Sequence, residues 1–272
     1  MNTPRGWGRT LALPLRSLTL RSWGQIARTA VLMGLALAGA DFLAIRQHQT
    51  LAAVDQKNGQ PCDNPSSSGG HFDVRSFAIW SQLEQTTVHD TIVLAGDSIV
   101  ELAFAPALCG KATFNAGIGG ATVSDVSRRV LSSLQEKKPG ALIIAVGVND
   151  ARRSSPLTRE QRIEAFTSDY RELVANAKAL TRRLAVVLVA PVERSKLMGD
   201  LHFDPAMIDT FDAIIRTIAA NEGVQVIAMP GLSDGHGYAR EGLTIDGVHL
   251  TADGYVLWRD AIQKGCATLM QP

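Results

Sequence analysis

Between Thr91 and Met229 the chain alternates short apolar runs with longer stretches of helical period. The runs read TIVLAG ending at Gly96, ALIIAVG ending at Gly147, LAVVLVA ending at Ala190 and VQVIAM ending at Met229. A strand with one wet face alternates apolar and polar residues. These runs are apolar throughout and rich in β-branched residues, so they predict strands covered on both faces, as in a parallel sheet. Phe114 and Asn115 predict one more short strand. The intervening segments carry helix starts of their own. Thr122 with Asp125 and Thr158 with Gln161 have the spacing of capping boxes, and Asp204 before Pro205 is an N-cap followed by proline at the first helical position. Such βα alternation predicts a single α/β domain, a doubly wound parallel sheet with helices on both faces.

The first seventy residues follow a different pattern. Arg5, Arg9, Arg16, Arg21 and Arg28 precede the first acidic residue, Asp41, and Ala30 to Ala40 carries no charge. A basic region, an apolar run and the small triplet Ala38-Gly39-Ala40 are expected of an export segment, either a cleaved signal or an N-terminal hydrophobic helix that stays in the membrane as an anchor. In both cases the arginines stay cytoplasmic and the rest is exported, the remaining alternative being an ordinary amphipathic helix. The stretch NGQPCDNPSSSGG then concentrates turn formers with no hydrophobic period. The expected organisation is a leader over 1–48, a flexible linker over 49–70 and one catalytic-sized domain over 71–272.

Composition narrows the function classes. At 46% hydrophobic residues, the 272-residue chain can fill a sizeable core and is not a disordered protein. Lys+Arg 27 against Asp+Glu 26 leaves +1, which gives no global field to attract nucleic acid. Cys62, Cys109 and Cys266 lack the CxxC spacing of a structural zinc site. In an oxidising compartment Cys62 could bond to Cys109 or another thiol, or all three could stay free.

In open α/β sheets ligands bind at the carboxyl ends of the strands, and here those ends carry polar clusters. They are Gly96-Asp97-Ser98, Asn115-Ala116-Gly117-Ile118-Gly119-Gly120, Gly147-Val148-Asn149-Asp150 and, before the last helix, Asp246-Gly247-Val248-His249. Each alone is an ordinary turn sequence. Gly-Ile-Gly-Gly lacks both the dinucleotide and the P-loop order, so nucleotide binding is disfavoured. Their joint order carries a chemistry. A serine becomes a nucleophile when a base takes its proton, histidine is the usual base at neutral pH, and a carboxylate holds the imidazole tautomer. Ser98, His249 and Asp246 supply those three roles. An oxyanion would be met by the Ser98 N–H, a glycine N–H of the second cluster and the Asn149 amide.

The four clusters, taken in this order, resemble the blocks of the SGNH hydrolase superfamily, also called GDSL esterases and lipases. The resemblance runs from about Thr91 to the C-terminal helix. FNAGIGGATVSDV is similar to the second block of the platelet-activating-factor acetylhydrolase catalytic subunits, which implies a flavodoxin-like sheet. It implies Ser98, Asp246 and His249 as the triad, and Ser98, Gly120 and Asn149 as the oxyanion donors; the family's spacing selects Gly120 over Gly117. Ile99 stands where the family name has leucine. No metal and no organic cofactor is implied. The expected activity is hydrolysis of carboxylic, short-chain or acetyl, esters that are small or glycan-linked, by an exported or membrane-anchored enzyme.

Neighbouring polar residues have plainer readings. Asp97 and Asp150 are expected to buttress their loops through backbone hydrogen bonds. Arg152 and Arg153 are expected in solvent, with contact to an anionic substrate as the alternative; His236 is expected in a glycine-rich surface loop, with substrate contact as the alternative, and His202 and His71 supply no second base with a partner at useful spacing. Trp258 and Leu257 read as core. Other functions stay open: acyl transfer to an envelope polysaccharide, a silent binding module on the same fold, and a nucleotide or flavin protein of similar topology.

Overall fold

The computed structural model describes residues 70–271. The expected leader, its hydrophobic helix and nearly all of the linker, Cys62 included, lie outside them. Among the described residues no helix is long and apolar enough to cross a membrane.

The apolar runs form the parallel strands β1 (Ile92–Gly96), β4 (Ala141–Ala145), β5 (Leu184–Val187) and β6 (Gln225–Ile227). Phe114 and Asn115 lie inside β3 (Lys111–Gly117), which is preceded by the two-residue β2 (Ala107–Leu108). The sheet order is β2-β3-β1-β4-β5-β6, with only the β2–β3 pair antiparallel. Without that edge strand the order is that of a flavodoxin-like doubly wound sheet, whose switch point lies where the chain leaves β1 for opposite sides.

Burial on both faces explains why the runs do not alternate. Val93 and Ala95, Leu142 and Ile144, and Val186 face one core layer; Ile92 and Leu94, Ala141 and Ile143, and Ala185 and Val187 face the other. The first layer is covered by α1 (Gly70–Gln85), α3 (Val123–Asp125, continued by a π turn over Val126–Leu131), α4 (Arg159–Leu180) and α5 (Pro205–Glu222). The second is covered by α2 (Ser98–Glu101) and α6 (Ala252–Leu269), whose Trp258 and Ile262 are fully buried. Truncating a buried tryptophan of this kind costs about 3–5 kcal/mol.

The three predicted helix starts are present. Thr122 and Thr158 form complete capping boxes, and Asp204 caps α5 with Pro205 in the first turn. The run that forms β5 is shorter as a strand than its apolar length. Beyond Val187 the Val189 N–H leaves the ladder and donates to the Asp212 carboxylate at 2.9 Å. Both thiol expectations are corrected: the structure bonds Cys109, in the β2–β3 turn, to Cys266 on α6, so Cys109 is not left for Cys62 and the three thiols are not all free. This bond ties the sheet edge to the last helix.

Candidate active site

The end of β1 presents Ser98. The chain turns at Asp97, whose carboxylate accepts the Ile99 N–H at 2.9 Å and caps the short α2. Ser98 is the first residue of that helix, so its side chain stands at the carboxyl edge of the sheet. Asp97 is buried, and burial pushes its carboxyl up to about 7 despite the backbone hydrogen bonds and the opposing influence of His249. From the other side α6 holds α2 in place, with the Tyr255 hydroxyl donating to the Ile99 carbonyl at 2.9 Å.

The partner of Ser98 arrives from 151 residues away. His249 Nε2 lies 3.0 Å from Ser98 Oγ, and His249 Nδ1 lies 2.6 Å from Asp246 Oδ2. The other carboxylate oxygen of Asp246 accepts the backbone N–H groups of Val248 and His249 at 3.0 and 2.9 Å. Partial burial works to raise the Asp246 pKa, and the hydrogen bonds from the His249 side chain and the two N–H groups outweigh it, leaving the carboxyl below its ordinary value. An ionised carboxylate so fixed holds the proton on Nδ1 and leaves Nε2 as the acceptor toward serine.

The loop that carries Asp246 and His249 is itself braced. Ile245 N–H donates to the His249 carbonyl at 2.7 Å, and an antiparallel bridge joins Thr244 to Leu250. Met198 N–H donates to the Asp246 carbonyl and Glu193 N–H to the Gly247 carbonyl. Gly247 has φ +114°, and a Cβ there would lie 2.3 Å from the Gly199 nitrogen, so only glycine admits this contact. The buried Glu193 carboxylate accepts from the Thr244 N–H and hydroxyl and the Gly242 N–H, and pairs with Lys196 at 3.1 Å. Desolvation works to raise its pKa, and the Thr244, Lys196 and Gly242 contacts bring it below the ordinary value.

The strand order β3-β1-β4 sets the second and third clusters on either side of Ser98. Gly120 follows β3 with φ +82°, a left-handed conformation that favours glycine, and nothing lies within 4 Å of where its Cβ would be. The preceding turn is tied down by Ile118 N–H to the Gly96 carbonyl at 3.0 Å and by Gly119 N–H to the Glu101 carboxylate. Arg75 of α1 grips the same segment, donating to the Asn115 and Gly117 carbonyls at 2.9 Å each. Asn149, buried at the end of β4, donates from Nδ2 to the Ala121 carbonyl at 2.9 Å. A primary amide has two such hydrogens, so one is left for a further acceptor.

Arg152 has a task that the sequence reading did not assign. Its Nη2 and Nε donate to Asn149 Oδ1 at 2.7 and 3.2 Å, fixing which end of the amide faces the second loop. Its guanidinium carbon lies 5.5 Å from the Phe203 ring centroid, and Nη1 lies 3.4 Å from His202 Nε2. The expectation of a solvated arginine is therefore corrected for Arg152, whereas Arg153 is exposed and donates to the Asp200 carbonyl. The available signal was spacing: three residues along a single tight helical turn place Arg152 beside Asn149. Glu101, Arg75 and Glu193 were likewise missed, since their partners are distant in sequence.

The plainer readings have structural counterparts. Asp150 accepts the Val123 N–H at 3.2 Å, and burial pushes its carboxyl up to about 8. His236 is exposed, and Trp258 and Leu257 pack in the second core layer. His71 lies 3.1 Å from Glu101 Oε2, on the α1 side of the second loop. Among the described residues no three His, Cys, Asp or Glu side chains gather as metal ligands.

Comparison with known proteins adds a second line of observation. Residues 94–257, more than half of the chain, match the model of the GDSL-like Lipase/Acylhydrolase family. The chain belongs to this family. The match spans every cluster from β1 to the start of α6, so the Ser98 turn and the Asp246–His249 loop both lie inside the GDSL-like region. The fold is shared with solved structures of low identity. One from Streptococcus pneumonia, provisionally described as a platelet activating factor, is 19% identical with a TM-score of 0.58, over 79% of this chain and 98% of that one. A lipase/acylhydrolase from Enterococcus faecalis is 20% identical with a TM-score of 0.54, over 67% and 97%. A variant of an acetyl xylan esterase from Geobacillus stearothermophilus is 18% identical with a TM-score of 0.52, over 66% and 96%. No curated protein gives a significant match.

Proposed function

We propose that this GDSL-family acylhydrolase is a serine esterase that cleaves short-chain, foremost acetyl, carboxylic esters through an acyl-Ser98 intermediate. The observation that carries the reading is the continuous chain Ser98 Oγ, His249 Nε2, His249 Nδ1, Asp246 Oδ2, with separations of 3.0 and 2.6 Å at its two polar contacts. Ser98 Oγ attacks the ester carbonyl as His249 takes its proton, and Asp246 stabilises the resulting imidazolium. The tetrahedral oxyanion is met by the N–H groups of Ser98 and Gly120 and by the second Nδ2 hydrogen of Asn149. Collapse releases the alcohol, which takes the proton back from His249. Water then attacks the acyl-serine with His249 again as base, freeing the acid and restoring Ser98.

The acetyl preference is supported by the likeness to an acetyl xylan esterase, and a glycan-linked ester is the larger substrate it favours. The basic and apolar leader supports export, with the catalytic domain outside the cytoplasm. The test is hydrolysis of p-nitrophenyl acetate, butyrate and octanoate by the full chain beside Ser98→Ala. Turnover that falls with acyl length and disappears in Ser98→Ala is the expected result. Turnover surviving Ser98→Ala would end the nucleophile assignment, and a preference for octanoate would end the short-acyl assignment.

A further inference from the structure

The Gly120 N–H, one of the proposed oxyanion donors, belongs to the central peptide of a four-residue turn over 118–121. The turn is closed by the Ala121 N–H, which donates to the Ile118 carbonyl at 3.1 Å. Gly120 is its third residue, and a φ of +82° has the sign that a type II turn requires there. The type I form of such a turn differs chiefly by a flip of the central peptide, which would aim the Gly120 N–H the other way. Gly119 and Gly120 carry no side chains, so their own backbone resists that flip little. The aim of this donor is therefore set by what grips the turn from outside.

Glu101 stands at that point. It is the last residue of α2, the helix that Ser98 opens. Its side chain is 18% exposed, and its carboxylate accepts the Gly119 N–H, immediately ahead of the central peptide. The two segments are in close contact: a Cβ on Gly117 would lie 2.2 Å from the Glu101 nitrogen, and one on Gly119 2.9 Å from Glu101 Oε2.

The carboxylate is met in turn from α1, by His71 Nε2 at 3.1 Å and Arg75 Nε at 3.7 Å. Arg75 also donates to the Gly117 and Asn115 carbonyls at 2.9 Å each and to Asn115 Oδ1 at 3.3 Å. Asn115 Nδ2 donates back to the Val100 carbonyl of α2 at 2.7 Å. A carboxylate beside a developing oxyanion repels it, and the Arg75 guanidinium offsets that charge. Both α1 residues precede the matched region, 94–257.

We propose that Glu101 is a positioning residue for the Gly120 donor, its carboxylate held by Arg75 and His71 of α1. The inference rests on the esterase reading and deepens it: one helix carries the nucleophile at its first residue and orients an oxyanion donor from its last.

The experiment is steady-state hydrolysis of p-nitrophenyl acetate by full-length Glu101→Ala, Glu101→Asp and Glu101→Gln, beside boron NMR of the same proteins with ethylboronic acid. Ser98 Oγ adds to boron as its proton passes to His249, no group leaves, and the tetrahedral adduct sets an oxygen against the oxyanion donors without turnover. Glu101→Gln keeps an oxygen acceptor at the same reach and is expected within about threefold of the parent in kcat. Glu101→Asp keeps the charge but stops one methylene short of Gly119, and it and Glu101→Ala are expected to lose about 10-fold or more in kcat. The Ile118 N–H bond to the Gly96 carbonyl remains in every variant, so the turn is loosened rather than lost. KM should stay within about twofold, and boronate affinity should fall in step with kcat/KM. Glu101→Asp and Glu101→Gln keep a polar group beside Arg75, so the test stands even if Glu101→Ala does not fold. A rise in KM at constant kcat, Glu101→Gln as impaired as Glu101→Asp, or boronate affinity unchanged while kcat falls overturns the proposal. A parent that neither turns over nor binds the boronate fails the esterase reading and the positioning role with it. An active parent matched by Glu101→Asp fails the positioning role alone.

Discussion

Replacing Arg152 by alanine removes no proposed catalytic group, yet it is expected to cost much of the value of one. The guanidinium makes two hydrogen bonds to Asn149 Oδ1, at 2.7 and 3.2 Å, and these are the contacts that orient the amide from that side. Hydrogen bonds from a charged donor are worth about 1.5–3 kcal/mol, and losing an oxyanion donor outright costs about 2.7–4 kcal/mol. Asn149 keeps its bond to the Ala121 carbonyl, so alignment is loosened rather than abolished. The expected fall in kcat is about 10- to 100-fold, with KM changed less than about twofold, since the oxyanion exists only in the transition state. Arg152→Lys, which can restore one donor, should recover part of the loss. The assay is steady-state hydrolysis of p-nitrophenyl acetate on folded variants, completed by a double-mutant cycle with Asn149→Ala. If Arg152 acts through Asn149, its removal costs almost nothing in the Asn149→Ala background. Additive losses, or a rise in KM with kcat unchanged, would refute the positioning role and make Arg152 a direct substrate contact.

Three further outcomes follow from contacts away from Ser98. Asp150 has a folded pKa raised by burial to about 8, so the folded state holds its proton more tightly than the unfolded chain and stability declines as pH rises from about 4 to about 8. Asp150→Asn should flatten that decline in Tm between pH 5 and 8, and an unchanged slope would mean the group is ionised when folded. The Cys109–Cys266 bond spans 157 residues, for which chain entropy gives about 5 kcal/mol at most, so reduction or Cys266→Ser should lower Tm by several degrees, up to about 10–20 °C. An unshifted thermal melt of the reduced protein would contradict this. Glu193→Ala strips acceptors from Thr244 and Gly242 and should cost about 1–3 kcal/mol in chemical denaturation, with kcat falling because the Asp246–His249 loop loosens. A variant as stable and active as the parent would show that loop to be held without it.

How far the sequence reached depended on the range of the interactions involved. Continuous apolar runs announced the sheet because both faces of each strand are covered, as the split of Val93 and Ala95 from Ile92 and Leu94 shows. Thr122, Thr158 and Asp204 announced their helices because a cap bonds within three residues. Asp246 and His249 were legible as a pair for the same reason, and Ser98 joined them through the order of the clusters. The bracing was not legible. Glu193 reaches Thr244 across 51 residues and Arg75 reaches Asn115 across 40, and no local pattern encodes such a partner. Arg152 was within range, but a charged residue in a loop carries the same letter whether it points to water or to an amide. Strand β2 was missed because two residues have no period.

The most direct test of the account is mass spectrometry of the protein after exposure to a fluorophosphonate. A serine activated by His249 and faced by oxyanion donors attacks phosphorus and retains one adduct. The account predicts a single addition on the Ser98 peptide, blocked by Ser98→Ala and strongly slowed by His249→Ala. A folded protein that gains no adduct, or gains it at another residue, would contradict the assignment of Ser98 as nucleophile.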